Sequence, residues 1–343
     1  MGTTVRFLDR PPAGWPGLTT ADPGASAAHR PALWAALAAV RPGTRAHCLA
    51  VETDGELRGG MPVLVERRAG FHWLHLLPHL LSGAPLAAAG AHAAVDDACA
   101  GALRGLQREL RAVGGEWALY RPAGPPVAPA ALAAAAGETR WVAAAAIELA
   151  DGTEAAWSRV DRETRRDIRQ ARGRLAWAEE PEALEEAYAL HVAQARAWRA
   201  HRPPPVELSR RLLADGGDGL GPAARLFTLR RGGALVCATL ALDHPRETMP
   251  WWSGADPEAR RLGAFPWLLW GVVEWAARAG RDRVNLGDSA GAGAVASFKD
   301  SLGARLTRYP VRWLGAPDAG PAGRALARLQ RRLWAGRPRG EAA

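Results

Sequence analysis

Lysine is almost missing from this 343-residue chain: Lys299 is the only one, so 43 of the 44 basic side chains are arginine. A composition drifting this far toward Arg, Ala and Gly replaces lysine wherever a guanidinium serves as well. A guanidinium does not serve everywhere, because an ammonium is a compact point charge that can shed its proton when buried. Lys299 is therefore either a survivor on the surface or a residue whose chemistry arginine cannot supply. Its place after a Gly-rich loop and beside Phe298 favours the second reading. Cysteine is scarce as well. Cys48, Cys99 and Cys237 are odd in number and scattered, which argues for reduced core residues in a cytoplasmic protein and against a disulfide framework. No run of about 18 uncharged apolar residues occurs, which excludes a transmembrane helix. The first residues lack the basic-then-apolar pattern of a secretory signal.

What is present is a globular composition, 48% hydrophobic and 23% charged, long enough for two domains. The formal charge of +9 favours an anionic partner, whether nucleic acid, nucleotide or phosphorylated carrier. Residues 1–30, rich in Pro, Gly and Ala, predict a loosely packed lead-in with Trp15 as an anchor. A short helix is expected over 32–40, then a hairpin with strands at 46–52 and 57–67 turning on Asp54-Gly55. A helix over 95–112 closed by Gly114-Gly115, a strand over 116–120 and a strand over 141–149 complete the first half. The second half repeats this order: two runs from Leu226 to Leu242 across Gly232-Gly233, a third carrying Trp251-Trp252, and a helix that starts near Pro266 and stops at Gly280. The strand 283–286, the loop Gly287-Asp-Ser-Ala-Gly-Ala-Gly293 and a last run over 305–314 follow. The boundaries expected are 1–150, 151–314 and an amphipathic C-terminal helix and tail over 315–343.

Between the halves, Trp157, Val160, Thr164, Ile168, Ala171 and Leu175 recur at helical spacing, predicting one helix over 157–175. Arg162, Arg165, Arg166, Arg169 and Arg172 lie at three- and four-residue spacing elsewhere on it. Such a stripe tracks phosphates or forms a solvated face partly neutralised by Asp161, Glu163 and Asp167. A further helix is expected over 181–200. His72, His75 and His79 lack a Cys or carboxylate placed to complete a tetrahedral metal set, and Pro78 interrupts any helix holding all three, so no metal is assigned. Ser289 lacks the Gly-x-Ser-x-Gly elbow of a hydrolase. The turn Arg260-Arg-Leu-Gly263, ahead of a helix, is a candidate anion site.

The order Gly-rich hairpin, Trp251-Trp252-Ser-Gly, Asp256-Pro-Glu-Ala-Arg260, helix, Val284-Asn-Leu-Gly287 and Ser297-Phe-Lys-Asp-Ser-Leu-Gly-Ala304 resembles the C-terminal domain of the Fem-type aminoacyltransferases of the GNAT superfamily. Arg165-Arg-Asp-Ile-Arg-Gln-Ala171 is similar to the basic helix that opens their second domain, and the hairpin at Asp54-Gly55 to their first. The resemblance spans most of residues 45–313. It implies an α/β (α+β) fold of two tandem GNAT-like domains, each a mixed, mostly antiparallel sheet flanked by helices. The activity it implies is transfer of an acyl group to an amine.

By this resemblance Lys299 contacts the donor or the developing oxyanion, with Phe298 beside it. Trp252, Arg260, Gly263 and Asn285 are the other donor-binding candidates, Arg165, Arg166, Arg169 and Arg172 the RNA-phosphate candidates. Asn285 stands where the family usually has an acidic residue, which leaves Asp288 as the carboxylate nearest to serve as base. The donor implied is an aminoacyl-tRNA used as co-substrate, with no tightly bound cofactor, no metal and no DNA. The acceptor is a small-molecule or peptide amine such as a peptidoglycan precursor. The alternatives are an acetyl-CoA-dependent N-acetyltransferase, although Phe265 occupies the last small position of the usual acetyl-CoA signature, and a non-catalytic basic RNA-binding module. A partly exposed ammonium contributes little to folding, so truncating Lys299 is expected to leave the thermal melt nearly unchanged.

Overall fold

The computed structural model describes residues 2–76, 83–128, 139–197, 203–214, 217–259, 261–288, 293–316 and 318–335. The chain forms two compact units, Met1–Val142 with Arg308–Pro338, and a second built on Ala143–Thr307.

In the first unit β1 (Thr3–Leu8), β2 (Thr44–Thr53), β3 (Glu56–Arg68) and β4 (Phe71–His75) pair antiparallel in that order, and β5 (Leu86–Ala87) joins β3. The β2–β3 turn puts both Asp54 and Gly55 at positive φ, 51° and 84°, the requirement that makes Asp-Gly the preferred pair for a tight hairpin. The lead-in is better ordered than its composition suggested. It contains β1 and α1 (Trp15–Ala21), and Trp15 is fully buried with its indole N–H donating to His29 O at 2.9 Å. Asp22 accepts from the backbone N–H groups of Gly24 and Ala87, both at 2.8 Å, tying the segment to β5. Polar side chains with backbone partners thus do the anchoring that apolar ones usually do.

Helix α2 (Pro31–Ala39) follows, and α3 (His92–Leu110) buries Val95, Cys99 and Leu103 against Leu49, Met61 and Val63 of the sheet. That helix ends at Arg111, itself left-handed at φ 46°, three residues before the Gly pair expected to stop it. His72 bonds Leu110 O through Nδ1 at 3.2 Å, while His75 Nε2 lies 2.7 Å from Glu66 Oε2, so both imidazoles serve this unit's own contacts. His79 lies outside the described residues.

Strand β6 (Glu116–Ala118) ends this part of the first unit, and the chain passes into the second within β7 (Thr139–Glu148). The second unit opens with two helices where one was expected: α4 (Gly152–Arg159) and α5 (Arg162–Arg172). Val160 and Asp161 between them are extended, and Asp161 donates its N–H to Ser301 O at 2.9 Å instead of to a preceding turn. The apolar period survives because Ala156, Val160, Ile168, Ala171 and Leu175 enter one core on both sides of the break.

Next come β8 (Ala176–Glu179), α6 (Leu184–Ala197), α7 (Val206–Leu213), β9 (Ala224–Arg231), β10 (Ala234–His244), β11 (Glu247–Ala255), α8 (Ala264–Arg278), β12 (Arg283–Asp288) and α9 (Ala294–Ser301). The sheet order is β7-β12-β11-β10-β9-β8, antiparallel throughout except between β11 and β12. Its core lies under α8, where Leu268, Val272 and Ala276 meet Phe227, Leu229 and Cys237. The chain returns to the first unit within β13 (Arg305–Trp313), which pairs β6 there. The last helix, α10 (Gly320–Ala335), places Ala327 beside Val113, with Phe71 and Trp73 packed on the same cluster. This is a mixed α/β architecture of sheets flanked by helices.

Candidate active site

Strands β11 and β12 run parallel but pair only at Glu247–Arg283 and Thr248–Val284. Beyond that point β11 follows β10 and β12 follows β7, so the sheet opens into a wedge. The sequence supplies the cause. Pro250 has no N–H to donate to a ladder, and β11 carries a bulge at Trp251, since Leu240 faces Trp252 and Ala241 faces Pro250. Strand β12 bulges at the matching level, where Asn285 faces Ala146 and Asp288 faces Ala144. Gly287 takes φ 80° in this bulge, and a Cβ there would lie 3.6 Å from Met249 Cε, which reaches across the wedge.

Lys299 sits at the wedge. On α9 its Nζ donates to Asp288 O at 2.6 Å, at the end of β12. The side chain is 8% exposed, so the ammonium is buried, contrary to the expectation of partial exposure. Burial pulls its pKa from 10.5 down to about 8, with the Asp288 charge opposing the drop. Phe298 stacks on Phe265 with centroids 5.5 Å apart, docking α9 against the first turn of α8. The spacing Phe298-Lys299-x-x-x-Gly303 then has a steric reason. Gly303, at φ 76°, closes α9, and a Cβ on it would stand 2.8 Å from Arg159 Cβ and 2.9 Å from Arg159 C. Only glycine lets the end of α9 settle on the end of α4.

The other donor-binding candidates scatter. Gly263 is the left-handed N-cap of α8, with no side chain capping that helix. Arg260 lies outside the described residues, as does Ser289. Trp252 is engaged elsewhere: its indole stacks on His191 of α6 at 4.8 Å and donates to Ser209 Oγ of α7 at 3.2 Å. Asn285 is buried in β12, bonded to Glu247 and to Gly287 N. Glu247, which holds it, and Arg283, which donates to Glu247, carried no signal in the sequence, because the contacts join residues far apart in the chain.

The arginine stripe of α5 divides by partner. Arg166 pairs with Glu163 and Asp167, at 3.3 and 3.4 Å. Arg172 pairs with Glu274 and lies 4.4 Å from the centre of the Trp267 ring. Arg169 is exposed, over the Trp157 ring at 5.7 Å, and Arg165 has no side-chain partner among the described residues. Trp157, Trp270, Ile168, Arg169, Arg172 and Glu274 line a cleft of about 260 Å³ on this face.

Residues 158–299 match the model of the family described as Acetyltransferase (GNAT) domain. No curated protein matches the chain. Among solved structures, FemX superposes with a TM-score of 0.69 at 11% identity, over 94% of this chain and 100% of that one. L-PGS from Bacillus licheniformis gives 0.51 at 12% identity, over 97% and 99% of the two chains. A tandem GNAT protein from the clavulanic acid biosynthesis pathway gives 0.50 at 16%, over 93% and 99%. At such identities the likeness is one of fold, and it agrees with the tandem GNAT architecture expected from the motif order.

Proposed function

We propose that this chain, whose residues 158–299 match the acetyltransferase (GNAT) domain model, is an acyltransferase that moves an aminoacyl group from an aminoacyl-tRNA to an amine of a small molecule or peptidoglycan precursor. The observation that carries the reading is the buried Lys299 ammonium fixed at the mouth of the β11–β12 wedge. An acyl ester entering the wedge presents its carbonyl to that charge. The acceptor nitrogen attacks the carbonyl carbon, and the oxyanion that forms is stabilised by Lys299. The C–O bond to the ribose then breaks, and the leaving oxygen takes up a proton while the new amide nitrogen gives one up. By its position at the end of β12, Asp288 is the carboxylate proposed to relay that proton, while the Phe298–Phe265 stack holds α9 in place.

The donor's polyanionic backbone would lie along α5. Phosphate contacts act through released counterions, each contributing about 0.7–0.9 to the log–log salt slope. Replacing Arg165 and Arg169 together by glutamine should therefore lower the slope of tRNA binding by roughly one to two. Replacing Arg166 and Arg172, already engaged by carboxylates, should lower it less. Equal slopes for wild type and the first pair return the stripe to a solvated face.

A second reading, an acetyl-CoA-dependent transferase, is favoured by the uncapped N-terminus of α8 behind Gly263, since free backbone N–H groups there suit a pyrophosphate. One experiment separates the two. Activity in an extract should be destroyed by ribonuclease and restored by charged tRNA with its synthetase. Acetyl-CoA should neither support the reaction nor raise the melting temperature, as a bound ligand present well above its Kd would. Stabilisation by acetyl-CoA, with turnover surviving ribonuclease, replaces the aminoacyl-tRNA reading by the second one.

A further inference from the structure

The buried polar groups behind the wedge form a chain that ends on Lys299. Glu247, Arg283 and Asn285 are 2%, 2% and 4% exposed. Arg283 Nε donates to Glu247 Oε2 at 3.2 Å, and Asn285 Nδ2 donates to Glu247 Oε1, also at 3.2 Å. Glu247 accepts, so it fixes which end of the Asn285 amide faces it and turns the carbonyl end the other way. Asn285 Oδ1 then accepts the N–H of Gly287 at 2.8 Å, inside the bulge of β12. One residue on, Asp288 O accepts from Lys299 Nζ.

The bulge is what directs that carbonyl. In a regular β12 each peptide group would face β7 or the next strand in strict alternation. The extra residue breaks the alternation at the level of the lysine, and the Asn285 side chain supplies the partner that the displaced Gly287 N–H needs. An aspartate at position 285 could still accept from Gly287. It would also set a second carboxylate against Glu247 and lose the donor that holds the two strands together where their pairing ends.

We propose that Asn285 and Glu247 are positioning residues for Lys299, acting through the Gly287–Asp288 bulge and touching neither donor nor acceptor. The proposal rests on the reading of Lys299 as the group that meets the oxyanion, but its first test does not require that the donor be known. The chain contains a single lysine, so protein grown on lysine labelled with ¹³C and ¹⁵N shows one side-chain ammonium signal, which is Lys299.

In wild type that signal should titrate near pH 8. In Asn285→Ala and in Glu247→Gln its midpoint should move up toward the ordinary lysine value, as the ammonium is released from its buried seat. With the true donor, kcat should fall about 10- to 100-fold, the scale of an ångström-sized misplacement, while KM for donor and acceptor changes little. Glu247→Gln keeps one carbonyl acceptor and should show the smaller shift, but it takes the carboxylate from the buried Arg283 guanidinium, so Asn285→Ala is the variant expected to fold if only one of them does. An unmoved lysine signal and unchanged kcat in a folded variant of either kind overturn the proposal. A moved signal stands even if aminoacyl-tRNA proves to be the wrong donor, so the two failures are told apart.

Discussion

Lys299→Met should abolish turnover and leave the melting temperature at neutral pH unchanged or higher. Loss of a preorganised oxyanion donor costs about 10²–10³ in kcat, or roughly 3–4 kcal/mol of barrier, in other acyl transfers. The stability half of the expectation comes from burial. A lysine 8% exposed with its pKa drawn from 10.5 to about 8 holds its charge in the fold at a cost on the order of 3 kcal/mol. The sign follows from proton counting. Between pH 8 and 10.5 the unfolded lysine keeps its proton and the folded one has lost it, so unfolding takes up a proton and stability rises with pH across that window. Below pH 8 both are charged and the whole cost stands.

Methionine fills a similar volume without charge. It gives up the hydrogen bond to Asp288 O, which offsets about 1.5–3 kcal/mol of the gain. Wild type and the methionine variant should therefore melt within a few degrees of each other at pH 7. Wild type should gain on the methionine variant as the pH is raised toward 10.5. Lys299→Arg should be inactive as well, since the planar guanidinium is larger and cannot occupy a point-charge site, and above pH 8 it should melt lower than either because it cannot shed its charge. Thermal melts at two pH values with a single-turnover assay check all of this. An active methionine variant removes Lys299 from the chemistry.

Several local elements of the candidate site were legible in the chain itself, and the features that were not share a cause. The Asp54-Gly55 hairpin and the Phe298-Lys299-x-x-x-Gly303 element are local patterns, in which one backbone conformation dictates residue type. Gly303 shows how literal that can be, since its neighbour across space is Arg159 backbone. The lysine announced itself by scarcity. What stayed hidden depends on residues far apart in sequence.

The break at Val160–Asp161 is invisible to periodicity because the apolar phase runs through it, and its cause is a bond to Ser301. The burial of Lys299 is set by how α9 seats against α8 through Phe298 and Phe265, which no window of sequence around it reports. Asn285 looked like the loss of a catalytic acid. Within the fold it is an amide between a carboxylate and a backbone N–H, a place where an acid would meet Glu247. Composition misled once, in the first thirty residues, where Pro, Gly and Ala suggested looseness and Asp22, Ser26 and His29 form a buried hydrogen-bonded turn.

The pH dependence of the chemical step should tell which form of Lys299 works, and the sign is opposite for the two roles. If the ammonium meets the oxyanion, the rate at saturating donor and acceptor should be level up to about pH 8. Above that it should fall about tenfold per pH unit, following the charged fraction. If the neutral amine instead removes a proton from the attacking nitrogen, the rate should climb through the same pH and level off above it. Acceptor ionisation would blur this, because an ordinary amine becomes nucleophilic over a similar range. The measurement therefore calls for an acceptor of low basicity, already neutral at pH 7, and for initial rates short enough to outrun ester hydrolysis. The midpoint of the limb should coincide with the titration of the single lysine signal. A rate that rises through pH 8 with that acceptor would assign Lys299 as the base and leave the oxyanion to backbone N–H groups of the bulged strand. Asp288 would then have no proton to receive, and Asp288→Asn should be nearly silent, whereas under the ammonium reading it should slow turnover measurably.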